Sequence, residues 1–144
     1  VIRKQLFGLA PLADSRGGPD IYTPDASART YERLRTLAAQ LLAQGWPVLV
    51  DATFPKDWQR APFRAIAAAA GVPFVLLACG ADADTLRARV DARLAAGSDA
   101  AEADVRVLDA QLADYTPPCA SEQPLAAAGL DAAGLIAAVR ARLG

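Results

Sequence analysis

Three consecutive apolar residues, Val48, Leu49 and Val50, run straight into Asp51. Two of the three are β-branched, and Gly45-Trp46-Pro47 stands immediately before them. Strands covered on both faces, as in a parallel sheet, read as such unbroken apolar runs. The pattern predicts a buried strand over 48–50 with a carboxylate where it leaves the sheet. Open α/β sheets bind their ligands at the carboxyl ends of the strands. A carboxylate there can reach Mg²⁺, a phosphate-bound water or a substrate hydroxyl. It can equally cap the helix that follows, and the stretch alone leaves both readings open.

Composition narrows the chemistry. A chain of 144 residues makes one ordinary domain, and a hydrophobic content of 53% is ample for a core. The net charge of −1 gives no electrostatic case for non-specific binding to nucleic acid or membrane. No apolar run approaches the ~20 residues that span a bilayer, and no signal peptide is visible. There is no histidine, so Ser-His-Asp and Cys-His catalysis and histidine-ligated metals are excluded. Cys79 and Cys119 form no CxxC and no metal-type pair, which predicts a reducing, cytoplasmic setting. Methionine is absent even at position 1, and residues 1–7 read as a helix already under way. The expectation is part of a longer protein or a processed product.

The rest of the chain alternates helix and strand signals. Gly8 ends the first helix, and 9–21 reads as a Gly- and Pro-rich loop, long enough to suggest a functional role. Thr23-Pro24 is a helix start, with Thr23 as N-cap and Pro24 at the first helical position. Tyr31, Leu34, Ala38 and Leu41 give that helix one apolar face, and Gly45 closes it. After the central strand, 58–70 reads as helix; Pro62 within it predicts a start near Trp58 or a kink. Gly71 ends it, and the apolar run 72–79 predicts a second strand, parallel to the first and joined by a right-handed crossover. Trp46 and Trp58 are expected at the core or its rim, and Cys79 in the core. Asp82 or Asp84 caps a helix over 85–95 whose apolar side is Leu86, Val90 and Leu94. Gly97 breaks it. Asp99 and Glu102 have capping-box spacing for a helix reaching 115, with Val105, Leu108 and Leu112 inward. A loop over 116–123, a weak edge strand over 124–130 and a last helix capped by Asp131, with Leu135, Val139 and Leu143 inward, complete the chain. Two strands and about five helices make an incomplete sheet. At least one further strand, or an association, is expected to cover it.

The residues able to carry chemistry are few. Asp51 ends the central strand, and in nucleotide-binding α/β proteins an aspartate there reaches Mg²⁺ directly or through water. Thr53 can donate to the same site. Arg87, Arg89 and Arg93 lie on one helix, and Arg89 and Arg93, four apart, share a face. Two guanidinium groups on one face can grip a triphosphate and neutralise charge on a transferring phosphoryl group. They can also be a solvated face paired with Asp91 and Glu102. The helix, the Gly97-Ser98-Asp99 break and the next helix have the form of a lid over about 86–104. Arg3 alone is an ordinary surface arginine. No GxxxxGK[ST] occurs anywhere, so the chain holds no phosphate-cradling loop of that kind.

Four pieces in this order carry a resemblance: Val1-Ile2-Arg3-Lys4; Ile21-Tyr22-Thr23-Pro24 opening a long helix; Val48-Leu49-Val50-Asp51-Ala52-Thr53-Phe54; and Leu86-x-x-Arg89-x-x-x-Arg93. Over about 1–112 the chain resembles P-loop kinases of the zeta-toxin and polynucleotide-kinase type. It is most similar to the kinase-like ATP-binding module found fused behind aminoglycoside-phosphotransferase-like domains. The resemblance implies an α/β fold, a three-layer P-loop NTPase-like parallel sheet lacking its N-terminal strand, P-loop and helix, with 1–144 the C-terminal part of one domain. It implies ATP and Mg²⁺ as cofactors and a hydroxyl of a small molecule or a nucleic-acid end as acceptor. By the same match Arg3 binds substrate, Asp51 is catalytic and holds Mg²⁺ through water, and Arg89 and Arg93 are catalytic lid arginines, Arg93 also meeting the nucleotide; Thr53, from its place beside Asp51, is expected to bind substrate too. The departures from the family are the absent Walker A loop and the catalytic aspartate that the resemblance places immediately before Val1, without which this chain is expected to be inactive. A non-catalytic nucleotide-sensing or interaction module is the alternative, and an ATPase with water as acceptor a third.

Overall fold

The computed structural model describes residues 2–10, 23–96 and 105–144. The elements are α1 (Ile2–Leu6), α2 (Pro24–Ala43), α3 (Asp57–Ala69), β1 (Leu77–Ala78), α4 (Ala83–Ala96), α5 (Val105–Ala113), β2 (Leu125–Ala126) and α6 (Ala132–Leu143). A short 3₁₀ turn, Ala120–Glu122, precedes β2. The expected loop over 9–21 beyond residue 10, the Gly97 break and the Asp99/Glu102 capping box lie outside the described residues.

The helix starts follow their caps. Thr23 has extended backbone and its hydroxyl accepts from Ala26 N at 3.1 Å, with Pro24 at the first helical position. The Asp82 carboxylate accepts from Thr85 N at 2.8 Å and opens α4, and Asp131 accepts from Gly134 N at 2.8 Å and opens α6. At Gly45 the backbone turns at φ +80°, which closes α2 and sends the chain back extended. Thr23→Ala should lower stability by about 1 kcal/mol in a urea melt, because Ala26 N then loses its acceptor.

α2 packs on α3, α1 on α2, and α4 on α5. The core of the α2–α3 half is Tyr31, Ala38 and Phe63, with Leu34, Val48, Val50, Phe54 and Ile66 against it. α3 starts at Asp57, and Pro62 sits inside it. At the helix start Gln59 Oε1 accepts from Lys56 N at 3.0 Å.

The sheet departs from the reading of the sequence. β1 pairs in parallel with β2, Leu77 opposite Leu125 and Ala78 opposite Ala126. The fold is α/β, with a small two-stranded parallel sheet among the described residues. Residues 47–50 are extended but join no ladder there, and the second strand is confined to 77–78 of the expected 72–79. The two predicted neighbours are therefore not paired with one another. An apolar run specifies extended backbone and a buried side; it does not specify which strand lies alongside. Val48 and Val50 turn into the core, whereas Leu49, pointing to the opposite side, is 86% exposed. Three smaller expectations are also corrected. Cys79 is exposed rather than core, Leu41 is exposed at the end of the α2 stripe, and no residue of α6 is buried. Trp46 and Trp58 lie at the rim, both more than half exposed. No helix among the described residues is long and apolar enough to cross a membrane.

Candidate functional site

The extended segment that follows α2 ends at Asp51, whose side chain is exposed. The two residues beyond Ala52 are fixed from α2. Thr53 Oγ1 lies 3.3 Å from the Tyr31 hydroxyl, and the same hydroxyl accepts from Phe54 N at 3.0 Å. Phe54 has φ +44°, a left-handed conformation that a residue with a bulky side chain adopts only when its surroundings impose it. Those surroundings are visible. Its ring meets Tyr31 at 5.2 Å and Phe63 edge-on at 5.2 Å, Trp58 stands edge-on to Tyr31 at 6.1 Å, and its carbonyl accepts from Arg60 Nη1 at 2.9 Å.

Arg60 is 3% exposed. Its Nε and Nη2 donate to the two carboxylate oxygens of Glu122 at 2.7 and 3.0 Å. Nη1 also reaches the Thr116 carbonyl at 3.0 Å. Cys119 N donates to Glu122 Oε2 at 3.0 Å. The guanidinium of Arg60, then the amide of Cys119, hold the Glu122 carboxyl down at a pKa of about 2, against the partial desolvation that opposes them. The loop after Asp51 is tied to the C-terminal segment in two further places: Thr116 N donates to Pro55 O at 2.8 Å, and Lys56 pairs with Asp114. The sequence marks Tyr31 only as part of the apolar face of α2 and does not mark Arg60. A signal exists for Arg60, because Arg60, Phe63 and Ala67 repeat at 3-4 spacing and are all buried on α3. Glu122, 62 positions away, carries no comparable signal.

The α4 arginines have different surroundings. Arg87 bridges Asp84 at 3.2 Å and Asp109 of α5 at 2.9 Å. Arg89 is exposed. Arg93 is half-buried, with its Nε shielded from solvent. Arg3, on α1, donates to Ser27 Oγ of α2 at 3.2 Å. Residues 97–104, the tip of the expected lid, lie outside the described residues.

Two concave regions stand out among the described residues. One, of about 480 Å³, is an open groove between α1 and α2 lined by Leu6, Arg29, Glu32 and Arg33. The other, of about 260 Å³, lies beside α3 and is lined by Asp57, Arg60, Arg64, Phe74, Leu76 and Glu122. Neither is lined by Asp51 or Arg93.

No cluster of three His, Cys, Asp or Glu able to hold a metal by itself occurs among the described residues. One exposed carboxylate with a neighbouring hydroxyl suits Mg²⁺, which keeps several waters and is bound through one or two carboxylates together with substrate phosphates. The donor set at Asp51 and Thr53 therefore fits a Mg²⁺–nucleotide on the metal side. On the phosphate side it does not, since the GxxxxGK[ST] cradle is absent from the sequence.

Compared with known proteins, the chain matches the family model described as an AAA domain over residues 1–118. No curated protein and no solved structure matches. α6 and β2 lie beyond the matched residues.

Proposed function

Because this chain belongs to the AAA domain family, a P-loop NTPase-type, kinase-like family, we propose that it is part of an ATP-dependent phosphotransferase acting on a hydroxyl acceptor. Members of such families bind nucleotide with Mg²⁺. Asp51 holds the Mg²⁺ through water, Thr53 and Arg3 face the acceptor, and Arg89 and Arg93 close over the phosphates from α4. The Mg²⁺–nucleotide, when bound, supplies the phosphoryl group and neutralises its charge. The chain's own residues position and shield. The acceptor is a hydroxyl of a small molecule or of a nucleic-acid end, and the setting is reducing and cytoplasmic, in keeping with the free, exposed Cys79 and Cys119.

The observation that carries this reading is the 47–51 segment. It is extended, packs Val48 and Val50 into the core, has no ladder partner among the described residues and leaves Leu49 86% exposed. A strand with one covered side calls for a neighbour. In the proposed enzyme a further strand lies against it and leads into the loop that cradles the phosphates. The test uses the longest natural polypeptide containing these residues. It should show Mg²⁺-dependent ATP binding and phosphoryl transfer to a hydroxyl, and the 144-residue chain should show neither. Leu49→Ser should leave the melting curve of the 144-residue chain within about 0.5 kcal/mol of the original, because nothing there covers Leu49. In the longer polypeptide the same change should destabilise by about 1–3 kcal/mol, the scale of a buried leucine made polar. Equal effects in both would remove the cover expected over Leu49.

The absent GxxxxGK[ST] favours a second reading, a non-catalytic nucleotide-sensing or interaction module. Nucleotide binding without transfer in the longer polypeptide selects it.

A further inference from the structure

One buried guanidinium serves two loops. Arg60 Nη1 donates to Phe54 O at 2.9 Å and to Thr116 O at 3.0 Å. Phe54 belongs to the loop that leaves Asp51, and Thr116 follows the end of α5. The two loops also touch directly, through Thr116 N to Pro55 O at 2.8 Å and through the Lys56–Asp114 pair. α5 in turn is joined to α4, the helix of Arg89 and Arg93, by the Arg87–Asp109 pair at 2.9 Å. Glu122 grips the other edge of the guanidinium at 2.7 and 3.0 Å and fixes its plane.

A buried ion pair is a weak way to gain stability, and apolar side chains of the same volume often do as well. Its distinctive property is direction. A planar fork can bind a carboxylate with two donors while aiming a third at fixed carbonyl positions, and a single ammonium cannot. Here the third donor holds Phe54 in its left-handed conformation at φ +44° and, with the same nitrogen, the base of the α4–α5 arm.

We propose that Arg60 is a positioning residue, coupling the loop that carries Asp51 and Thr53 to the base of the arm that carries Arg89 and Arg93. From the proposed function it takes the assignment of Asp51 and Thr53 as ligand-facing and of Arg89 and Arg93 as phosphate-facing. A displacement of the arm about 114–116 is transmitted to 53–55 through this group together with the direct Thr116–Pro55 and Lys56–Asp114 contacts, so the metal-side and lid-side residues adjust together.

The test is amide hydrogen exchange on the 144-residue chain, read at the amides within 52–56 other than Pro55 and at 113–116, with Arg60→Lys, Glu122→Gln and Tyr31→Phe beside the original. Arg60→Lys should speed exchange tenfold or more in both segments together and leave the interior of α2 unchanged. Glu122→Gln, which keeps Arg60 but loosens its fork, should give the same pattern more weakly and serves if the lysine variant melts early. Tyr31→Phe frees Phe54 N and should speed only 52–56. Exchange that rises evenly across the chain, or in one segment only with either Arg60→Lys or Glu122→Gln, would overturn the coupling and leave a structural staple. A MgATP titration of the longer polypeptide separates the two levels. Arg60→Lys should weaken binding at least tenfold where the unsubstituted protein binds. Absence of binding in the unsubstituted protein removes the nucleotide reading of Asp51, and the exchange pattern still decides the coupling. Unchanged affinity in the lysine variant would sink the positioning role.

Discussion

Lowering the pH from 6 to 2 should remove about 3 kcal/mol of stability from this chain through one side chain, Glu122. Its carboxyl is held at a pKa of about 2 in the folded protein against an ordinary value of 4.5. The unfolded chain therefore binds the proton more readily than the folded one, and stability rises with pH across that interval. The contribution is complete above about 4.5, falls steadily as the pH drops toward 2, and is gone below it. A shift of this size corresponds to about 3 kcal/mol at 1.36 kcal/mol per unit. Urea melts at closely spaced pH values check it. Glu122→Gln should flatten the slope between 4.5 and 2, leaving what Glu32 beside Arg35 and Asp82 capping Thr85 contribute. Those two carboxylates are also lowered, but they are exposed and screened. Arg60→Ala should be costlier at neutral pH, by about 3–5 kcal/mol, because it strands Glu122 and two loop carbonyls at once. An unaltered slope in Glu122→Gln would show that the acid sensitivity lies elsewhere.

What the sequence made legible was local. Thr23-Pro24 and Asp131 each placed a helix start correctly, because a cap is decided by atoms within four residues of one another; of the two caps open for α4, Asp82 is the one used, and the helix starts at Ala83 rather than Thr85. The extended character of 47–50 and the inward turn of Val48 and Val50 were legible for the same reason. The pairing was not. Residues 72–79 look like the natural neighbour of 47–50, yet β1 is paired with Leu125–Ala126, a weak signal on its own. Long-range features of the site were equally hidden. Arg60 reads as one more surface arginine unless its place on the Phe63–Ala67 stripe is noticed, and Glu122 lies in what reads as loop. The Tyr31 hydroxyl that orders Thr53 and Phe54 belongs to a residue whose spacing marks it only as core. Periodicity reports which side of an element is covered; it is silent about what a buried polar atom bonds to across the fold.

The larger expected effect on function falls on Arg93. In the phosphotransferase proposed here, Arg93→Ala in the longer polypeptide should lower the phosphoryl-transfer rate by about 10³, the scale of an arginine that neutralises charge on a transferring phosphoryl group. Phosphoryl transfer asks the protein mainly for position and charge, so losing one correctly placed guanidinium removes rate and leaves packing nearly intact. The two α4 arginines need not contribute equally. Arg89 is exposed, and a mobile exposed guanidinium pays an ordering entropy before it can act. Arg93 is half-buried with Nε shielded, so its stem is already constrained. Arg89→Ala should therefore cost less rate than Arg93→Ala, by roughly tenfold if one hydrogen bond of about 1.4 kcal/mol separates them. Asp51→Asn should act differently again, weakening Mg²⁺-dependent nucleotide binding rather than the transfer step alone, since the carboxylate is the metal-side donor. Turnover at saturating MgATP, affinity by titration and a melting curve on the same three variants separate these roles. If both arginines only solvate α4, each alanine variant keeps turnover within a few-fold and shifts stability by about 0.5 kcal/mol or less. Unchanged turnover in Arg93→Ala would remove α4 from the chemistry and leave Asp51, Arg3 and Thr53, the last beside the Tyr31 hydroxyl, as the site this chain supplies.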